Sequence, residues 1–337
     1  MAFKRLDPED ISISAESIVT PLWSTNSKEL TTFFTQSSQV GSTGAFFHRI
    51  YNQDPAITTN TTAVTQMGIT YGDKAGFGTV NYNAGAIGNS PSSTIYGQYR
   101  NLVFGDEDTD FIFQNETSQH IYVITIDRAR YKEKLLPGSF NLKLKGPTGA
   151  ELSLTDNSET LSTVSYVDSG RVYDIISGSD GLPWSGTGYN STGGSYGKFL
   201  PDVGIIILSG VALDKTAPNG IALGTQRSDY SDSTNIVKFY NAISGGLSFE
   251  AQAEETVSSN YVFVRVRNSE FNYSTNPSNI TGSGELRHDI MINTPQAYIT
   301  TVGLYNDNND LLAVAKLSKP LLKDFTKEAL VRIKLDY

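Results

Sequence analysis

One run of seven residues constrains the fold more than any other: His120-Ile121-Tyr122-Val123-Ile124-Thr125-Ile126. An extended chain sends successive side chains to opposite faces, so a run that is apolar at odd and even positions alike belongs to a strand covered on both sides. Alternating stretches follow it. Phe140, Leu142 and Leu144 alternate with Asn141, Lys143 and Lys145, Gly146-Pro147-Thr148-Gly149 turns the chain, and Leu152 and Leu154 alternate with Glu151, Ser153 and Thr155. This predicts a half-buried hairpin. A second hairpin is predicted from Val164–Val167 through Asp168-Ser169-Gly170 to Arg171–Ile176. Near the C-terminus Val262, Val264 and Val266 alternate with Tyr261, Phe263 and Arg265. Val331, Ile333 and Leu335 stand opposite Arg332, Lys334 and Asp336, the pattern of a strand with one buried face.

Helical periodicity is scarce. Leu30, Phe33 and Phe34 predict a short helix over 27–36. Ile95, Tyr99, Leu102 and Val103 predict one over 94–104, with Ser92 or Ser93 as cap. Ile236, Phe239, Tyr240 and Ile243 predict one over 234–243, capped from Ser231, Asp232 or Ser233. Asp127 is placed to cap a short helix ending at Leu136. The stretches 57–94 (rich in Gly, Thr and Asn), 177–197 and 213–233 read as long loops. The expected fold is mainly β, in antiparallel, sandwich-like sheets with a few short α-helices, at the margin of α+β. Three regions are expected: an extended N-terminal arm over 1–24, a mixed helix and loop region over 25–120, and a β-rich domain over 121–337 that ends in a hairpin.

Charged residues make up only 18% of the chain, and the net charge is −9. Nucleic-acid affinity comes largely from neutralising phosphates, so an acidic chain is not expected to bind DNA or RNA directly. There is no cysteine, which excludes disulfides, thiolate metal sites and a cysteine nucleophile. Asp7-Pro8-Glu9-Asp10 follows the N-terminal residues at once where a secretory signal would carry an apolar core. The longest mid-chain apolar run, 203–208, is far short of a membrane span. The expectation is a soluble protein, assembled in a cytoplasm, with no membrane partner.

Motifs that carry chemistry are incomplete. Asp106, Asp108 and Asp110 match the first ligand positions of a calcium loop, but Phe111 and Thr117 stand where Gly and Glu are needed. Gly76-Phe77-Gly78 lacks the third glycine of a dinucleotide cradle. Ser248 lacks the closing glycine of a nucleophile elbow. Glu254 and Glu255 are adjacent, so in a strand they face opposite ways, poor geometry for a carboxylate pair. No catalytic residue, metal or cofactor is expected. The best candidate for recognition is the aromatic loop 182–199, with Trp184, Tyr189, Tyr196 and Phe199 among Gly and Ser, a composition suited to subunit interfaces or to glycan contact.

The segment Ile299-Thr300-Thr301-Val302-Gly303-Leu304-Tyr305, its Asn306–Asp310 turn and the return Leu311-Leu312-Ala313-Val314-Ala315-Lys316 resemble a hairpin of phage tail-fibre and baseplate proteins. The continuation through Lys319-Pro320-Leu321-Leu322-Lys323-Asp324-Phe325, the C-terminal Ile333–Tyr337 and the upstream Tyr99–Gly105 are similar to virion structural proteins of large contractile-tailed bacteriophages. Thr301 stands where the fibre motif usually has an acidic residue. The resemblance implies a non-enzymatic virion subunit of the tail or baseplate, oligomeric in the particle, with other virion proteins as partners. The alternatives are a receptor- or carbohydrate-binding tail protein and a neck or capsid-surface component. Pro320 has no N–H to donate, so Ser318-Lys319-Pro320 cannot continue a central strand. The basic segment Lys316, Lys319, Lys323 and Lys327 is a candidate contact with an acidic neighbour.

Overall fold

The computed structural model describes residues 6, 8–21, 34–37, 47–79, 90–113, 116–131, 133–186, 188–189, 194–228, 235–274 and 276–336. In chain order the elements are β1 (Ile11–Pro21), β2 (Phe34–Ser37), β3 (Phe47–Tyr51), β4 (Thr65–Asp73), α1 (Pro91–Phe104), β5 (Phe111–Phe113), β6 (Glu116–Ser118), β7 (His120–Ile126), β8 (Lys134–Leu135), β9 (Asn141–Lys145) and β10 (Glu151–Asp156). Then come β11 (Ser165–Val167), β12 (Gly170–Ser179), β13 (Leu182–Pro183), β14 (Gly197–Leu200), β15 (Ile205–Ser209), α2 (Gly210–Asp214), α3 (Asn235–Gly246), β16 (Ser248–Glu250) and β17 (Ala253–Val266). The chain ends with α4 (Ile290–Asn293), β18 (Gln296–Tyr305), β19 (Leu311–Asp324) and β20 (Ala329–Asp336). The fold is mostly antiparallel β with short helices. It divides into two compact units, one of residues 1–19 and 256–337, the other of residues 20–255. These boundaries differ from the three regions read along the sequence.

The larger unit is built on a twelve-stranded sheet whose main path is β16-β9-β10-β12-β14-β15-β7-β4-β3-β2. β7 pairs with β15 and β4 on its two sides. Its even-numbered Tyr122 and Ile124 join a core with Phe239 and Ile243 of α3, while Ile121 and Val123 join a second core with Tyr96, Tyr99 and Val103 of α1. Helices therefore cover both faces, which is why this strand is apolar throughout. The β9–β10 hairpin has the expected register, Leu144 opposite Leu152 and Leu142 opposite Leu154. The β11–β12 hairpin also forms, with Val167 opposite Gly170.

Several expectations need correction. Residues 65–73, read as part of a long loop, form β4, buried along nearly its whole length. Its glycines lie where neighbours come close: a Cβ on Gly68 would meet the Phe47 ring at 2.9 Å, and one on Gly72 the Tyr96 backbone nitrogen at 2.9 Å. Phe34 and Gln36, placed in a helix, belong to β2, and the rest of that span, 27–33, lies outside the described residues. α1 begins at Pro91 with Ser90 as its N-cap residue, because Pro suits the first helical position. Ser92 is instead buried and donates to the Phe77 carbonyl at 3.0 Å. The helix ends on Gly105 in the left-handed conformation, φ 64°. Asp127 caps only a 3-10 turn, Arg128–Arg130, and Lys134–Leu135 is β8. In the presumed link 213–233, Ile221 and Leu223 are core residues. The cap candidates Ser231–Ser233 of α3 lie outside the described residues.

In the smaller unit the sheet order is β1-β17-β20. Residues 11–21 of the expected arm are thus a sheet strand, and Asp10, buried just before it, pairs with Arg265 and Arg267 at 2.8 and 2.7 Å. Val262, Val264, Val331 and Ile333 form its core, with Val302, Leu304, Ala315, Leu317 and Leu321 packed against them. β18 and β19 form a separate two-stranded sheet around the Asn306–Asp310 turn. β19 does not stop at Pro320. The register jumps from Ile299–Leu321 to Thr301–Lys316, so Pro320 lies in the irregularity, where a ladder N–H is not required.

Candidate functional site

The aromatic loop proves to be mostly core. Tyr196 lies immediately before β14, and Phe199 within it, a strand held between β12 and β15. Both side chains are fully buried, Phe199 stacking on Phe140 with ring centroids 5.2 Å apart. The Tyr196 hydroxyl donates to the Asn219 carbonyl at 2.9 Å and accepts from the Tyr189 N–H at 3.3 Å. Tyr189 is half-buried, its ring 4.9 Å from that of Tyr196 and its hydroxyl bonded to Glu116 and Lys215. These residues hold the loop down instead of presenting it. Trp184 is different. The short pairing of β13 with β12 and a bond from the Trp184 N–H to the Ser177 carbonyl fix its backbone, yet its side chain is 47% exposed, next to exposed Leu182.

The C-terminal lysines also divide. Lys316 and Lys319 are exposed, and Lys327 lies 3.7 Å from Asp324. Lys323 is buried and donates to the Asn268 carbonyl, Asn272 Oδ1 and the Asp324 carbonyl at 2.8–3.0 Å. It cannot meet an acidic neighbour from there. Beside Lys316, on the face of the hairpin turned away from the core, Tyr305, Leu312 and Val314 are 43%, 68% and 58% exposed. The Tyr305 ring lies across Gly303, where a Cβ would meet it at 2.8 Å. Lone exposed apolar residues are normal, but a contiguous strip marks a contact surface.

Most of the large apolar side chains exposed among the described residues belong to the smaller unit, among them Ile11, Ile13, Tyr273, Ile290, Ile292 and Leu330 besides those on β18 and β19. Among the described residues neither outer edge of this two-stranded sheet pairs with a further strand, and such edges are templates for another chain.

Sequence reasoning missed the buried polar groups of the larger unit, because single His, Asp and Arg residues far apart in sequence give no motif. His120 Nε2 lies 3.1 Å from Asp214 Oδ2. Asp214 Oδ1 accepts from both the N–H and the hydroxyl of Thr225, whose hydroxyl in turn accepts from Tyr122. Burial opposes ionisation of Asp214, yet the bonds from His120 and Thr225 outweigh it and hold the carboxyl below the usual range. Among the described residues, His120 Nδ1 is buried without a hydrogen-bond partner. Asp73, fully buried, takes the N–H groups of Ala75 and Phe77 and the Arg227 guanidinium. Arg171 bridges Asp202, at 2.6 Å, and Glu254. Each of these groups ties one backbone segment to another. Glu254 is buried on the arginine and Glu255 is half-buried.

Asp106 is occupied by its own turn, accepting from the Asp108 N–H at 2.7 Å and from Thr109, and Asp110 pairs with Lys74. A groove of about 400 Å³ runs between the β9–β10 turn and α3, lined by Lys145, Pro147, Lys238 and Asn241 among others, with no carboxylate in its lining. Among the described residues no helix is long and apolar enough to cross a membrane, and no group of three or more His, Cys, Asp or Glu is placed to hold a metal. Compared with known proteins, the chain matches no family model, no curated protein and no solved structure.

Proposed function

We propose that this chain is a non-enzymatic structural subunit of a virion, built into the tail or baseplate of a contractile-tailed bacteriophage, and that it works by packing against other virion proteins. The observation that carries the packing role is the exposed strip Tyr305, Leu312 and Val314 on the outer face of the two-stranded sheet. An exposed apolar strip of this kind gains stability when another protein covers it, at about 25 cal/mol per Å². The tail placement rests on the resemblance of residues 299–316 to tail-fibre and baseplate hairpins. Lys316 and Lys319 rim the strip with positive charge, suited to an acidic neighbour.

The test is assembly. Replacing Leu312→Asp and Val314→Asp together is expected to leave the isolated chain folded, by circular dichroism, and to block its incorporation into particles in a complementation assay. Normal incorporation of the double variant contradicts the role of this face. Exposed Trp184 beside Leu182 supports a second reading, a glycan- or receptor-binding tail protein. A glycan array separates the two: binding that Trp184→Ala abolishes favours the second, and no binding favours the first.

A further inference from the structure

Lys323 lies near the end of β19, in register with Ala297 of β18. Its side chain is 0% exposed. Its three contacts, the Asn268 carbonyl at 3.0 Å, Asn272 Oδ1 at 2.8 Å and the Asp324 carbonyl at 2.8 Å, are all to uncharged oxygens. Burying an ammonium with no carboxylate among its hydrogen-bond partners is costly. Burial pushes the Lys323 pKa down, against the pull of Asp324, Glu270 and Glu328. A lysine amine relieved of its proton is a nucleophile.

The group it meets is an amide. Asn272 offers its carbonyl oxygen to the amine while its Nδ2 donates to the same Asn268 carbonyl at 2.7 Å. The loop is bent into this position through Phe271, a non-glycine residue at φ 51°. That conformation is costly for a bulky side chain, and such strain gathers where a site demands it. With a carbonyl bond of about 1.2 Å and a hydrogen bond open beyond a right angle at the oxygen, Nζ stands about 3–4 Å from Cγ of Asn272, close to attack distance. Glu270, only 7% exposed, is the buried one of the three carboxylates whose charge reaches Lys323, and it accepts from the Arg267 N–H at 3.4 Å. The Asp324 carboxylate is engaged by Thr326 and Lys327, and Glu328 is exposed.

We propose that Lys323 and Asn272 form an intramolecular isopeptide bond, with Glu270 carrying the proton. The neutral Nζ adds its electron pair to Cγ of Asn272, giving a tetrahedral oxyanion. Glu270 takes a proton from the attacking nitrogen and passes it to Nδ2. The Cγ–Nδ2 bond then breaks as the carbonyl reforms, and ammonia leaves. Atoms and charge balance with no oxidant, reductant or cofactor. The product joins the loop after β17 to β19 by a neutral amide and removes the buried charge. This inference depends on nothing the chain assembles with.

The test is the intact mass of the purified full chain, followed by peptide mapping. The expected result is a mass below the sequence mass by one ammonia, and a branched peptide joining the Asn272 and Lys323 segments. Lys323→Met and Asn272→Ala are expected to show their full sequence masses. Glu270→Gln is expected to fold, by circular dichroism, yet to link far more slowly. A wild-type chain that keeps its full sequence mass after prolonged incubation overturns the proposal, whether or not the variants fold. Loss of ammonia without the branched peptide also overturns it, since a succinimide at Asn219-Gly220 gives the same mass change. A Glu270→Gln chain that links as fast as wild type overturns the role of Glu270.

Discussion

At the residue scale, two neighbouring glycines have opposite meanings. Gly72 of β4 faces the backbone of α1: an added Cβ would lie 2.9 Å from the Tyr96 nitrogen and 3.1 Å from its Cα, atoms that cannot rotate away. Gly97, one residue beyond Tyr96, has open space around its would-be Cβ. Gly72→Ala is therefore expected to destabilise by about 1–3 kcal/mol, and Gly97→Ala to stabilise by about 0.5–1 kcal/mol, both read from urea denaturation midpoints. A shift of the same sign for both contradicts the close approach of α1 to β4. Asp214 gives a pH prediction. Its folded-state pKa lies below the ordinary 3.8, because its hydrogen bonds outweigh the burial that opposes ionisation. A carboxylate depressed in this way adds stability above its unfolded pKa and loses it as pH falls through the folded value. Stability of the wild type is expected to drop below pH 3.8, and that of Asp214→Asn to drop less steeply, in denaturation curves taken from neutral to acid pH. Equal slopes contradict the assignment. None of this was legible in the sequence, where His120, Asp214 and Thr225 are separated by long stretches and only folding brings them together. Lysines are rarely fully buried, so the sequence places Lys323 on the surface, and only the structure places it inside.

At the element scale, strands with strict alternation were legible and glycine-rich strands were not. The β9–β10 hairpin and β20 declare themselves because each apolar side chain occupies a fixed position in a period of two, and β7 because it is apolar on both faces. β4 hides because Gly68 and Gly72 contribute no apolar side chain to the pattern, although the close packing of Phe47 and α1 requires them. β14 hides because it is four residues long and starts with Gly197, whose Cβ would strike the Ile207 carbonyl at 1.9 Å. Tyr196 just before it and Phe199 within it therefore read as a binding loop when they are core. The missing N–H of Pro320 bars it from a central strand, but β19 is not central, and the register irregularity accommodates it. The alternation of β20 is testable. Ile333, buried in the core of the smaller unit, is expected to cost about 2–4 kcal/mol on replacement by Ala. Leu330, on the other face and exposed, is expected to change stability by less than about 0.5 kcal/mol. Comparable losses for both would mean that the strand is turned over.

At the scale of the whole molecule, polar chemistry and apolar exposure are distributed differently. The larger unit spends its buried charges, Asp73, Glu254 and the His120–Asp214 pair, on fixing its own segments around two apolar cores. The smaller unit keeps a modest core and leaves large apolar side chains on its surface. With a net charge of −9, the chain is expected to show no retention on immobilised DNA at physiological salt. Retention that falls with added salt would point to a local basic site. The central claim is that the outer face of β18 and β19 is a seat for another virion protein. The most direct measurement is a density map of an intact phage particle into which this chain is fitted. The account predicts the chain in the tail or baseplate, with Tyr305, Leu312 and Val314 covered by a neighbouring subunit. A particle that lacks the chain, or one in which this face stands bare to solvent, would contradict it.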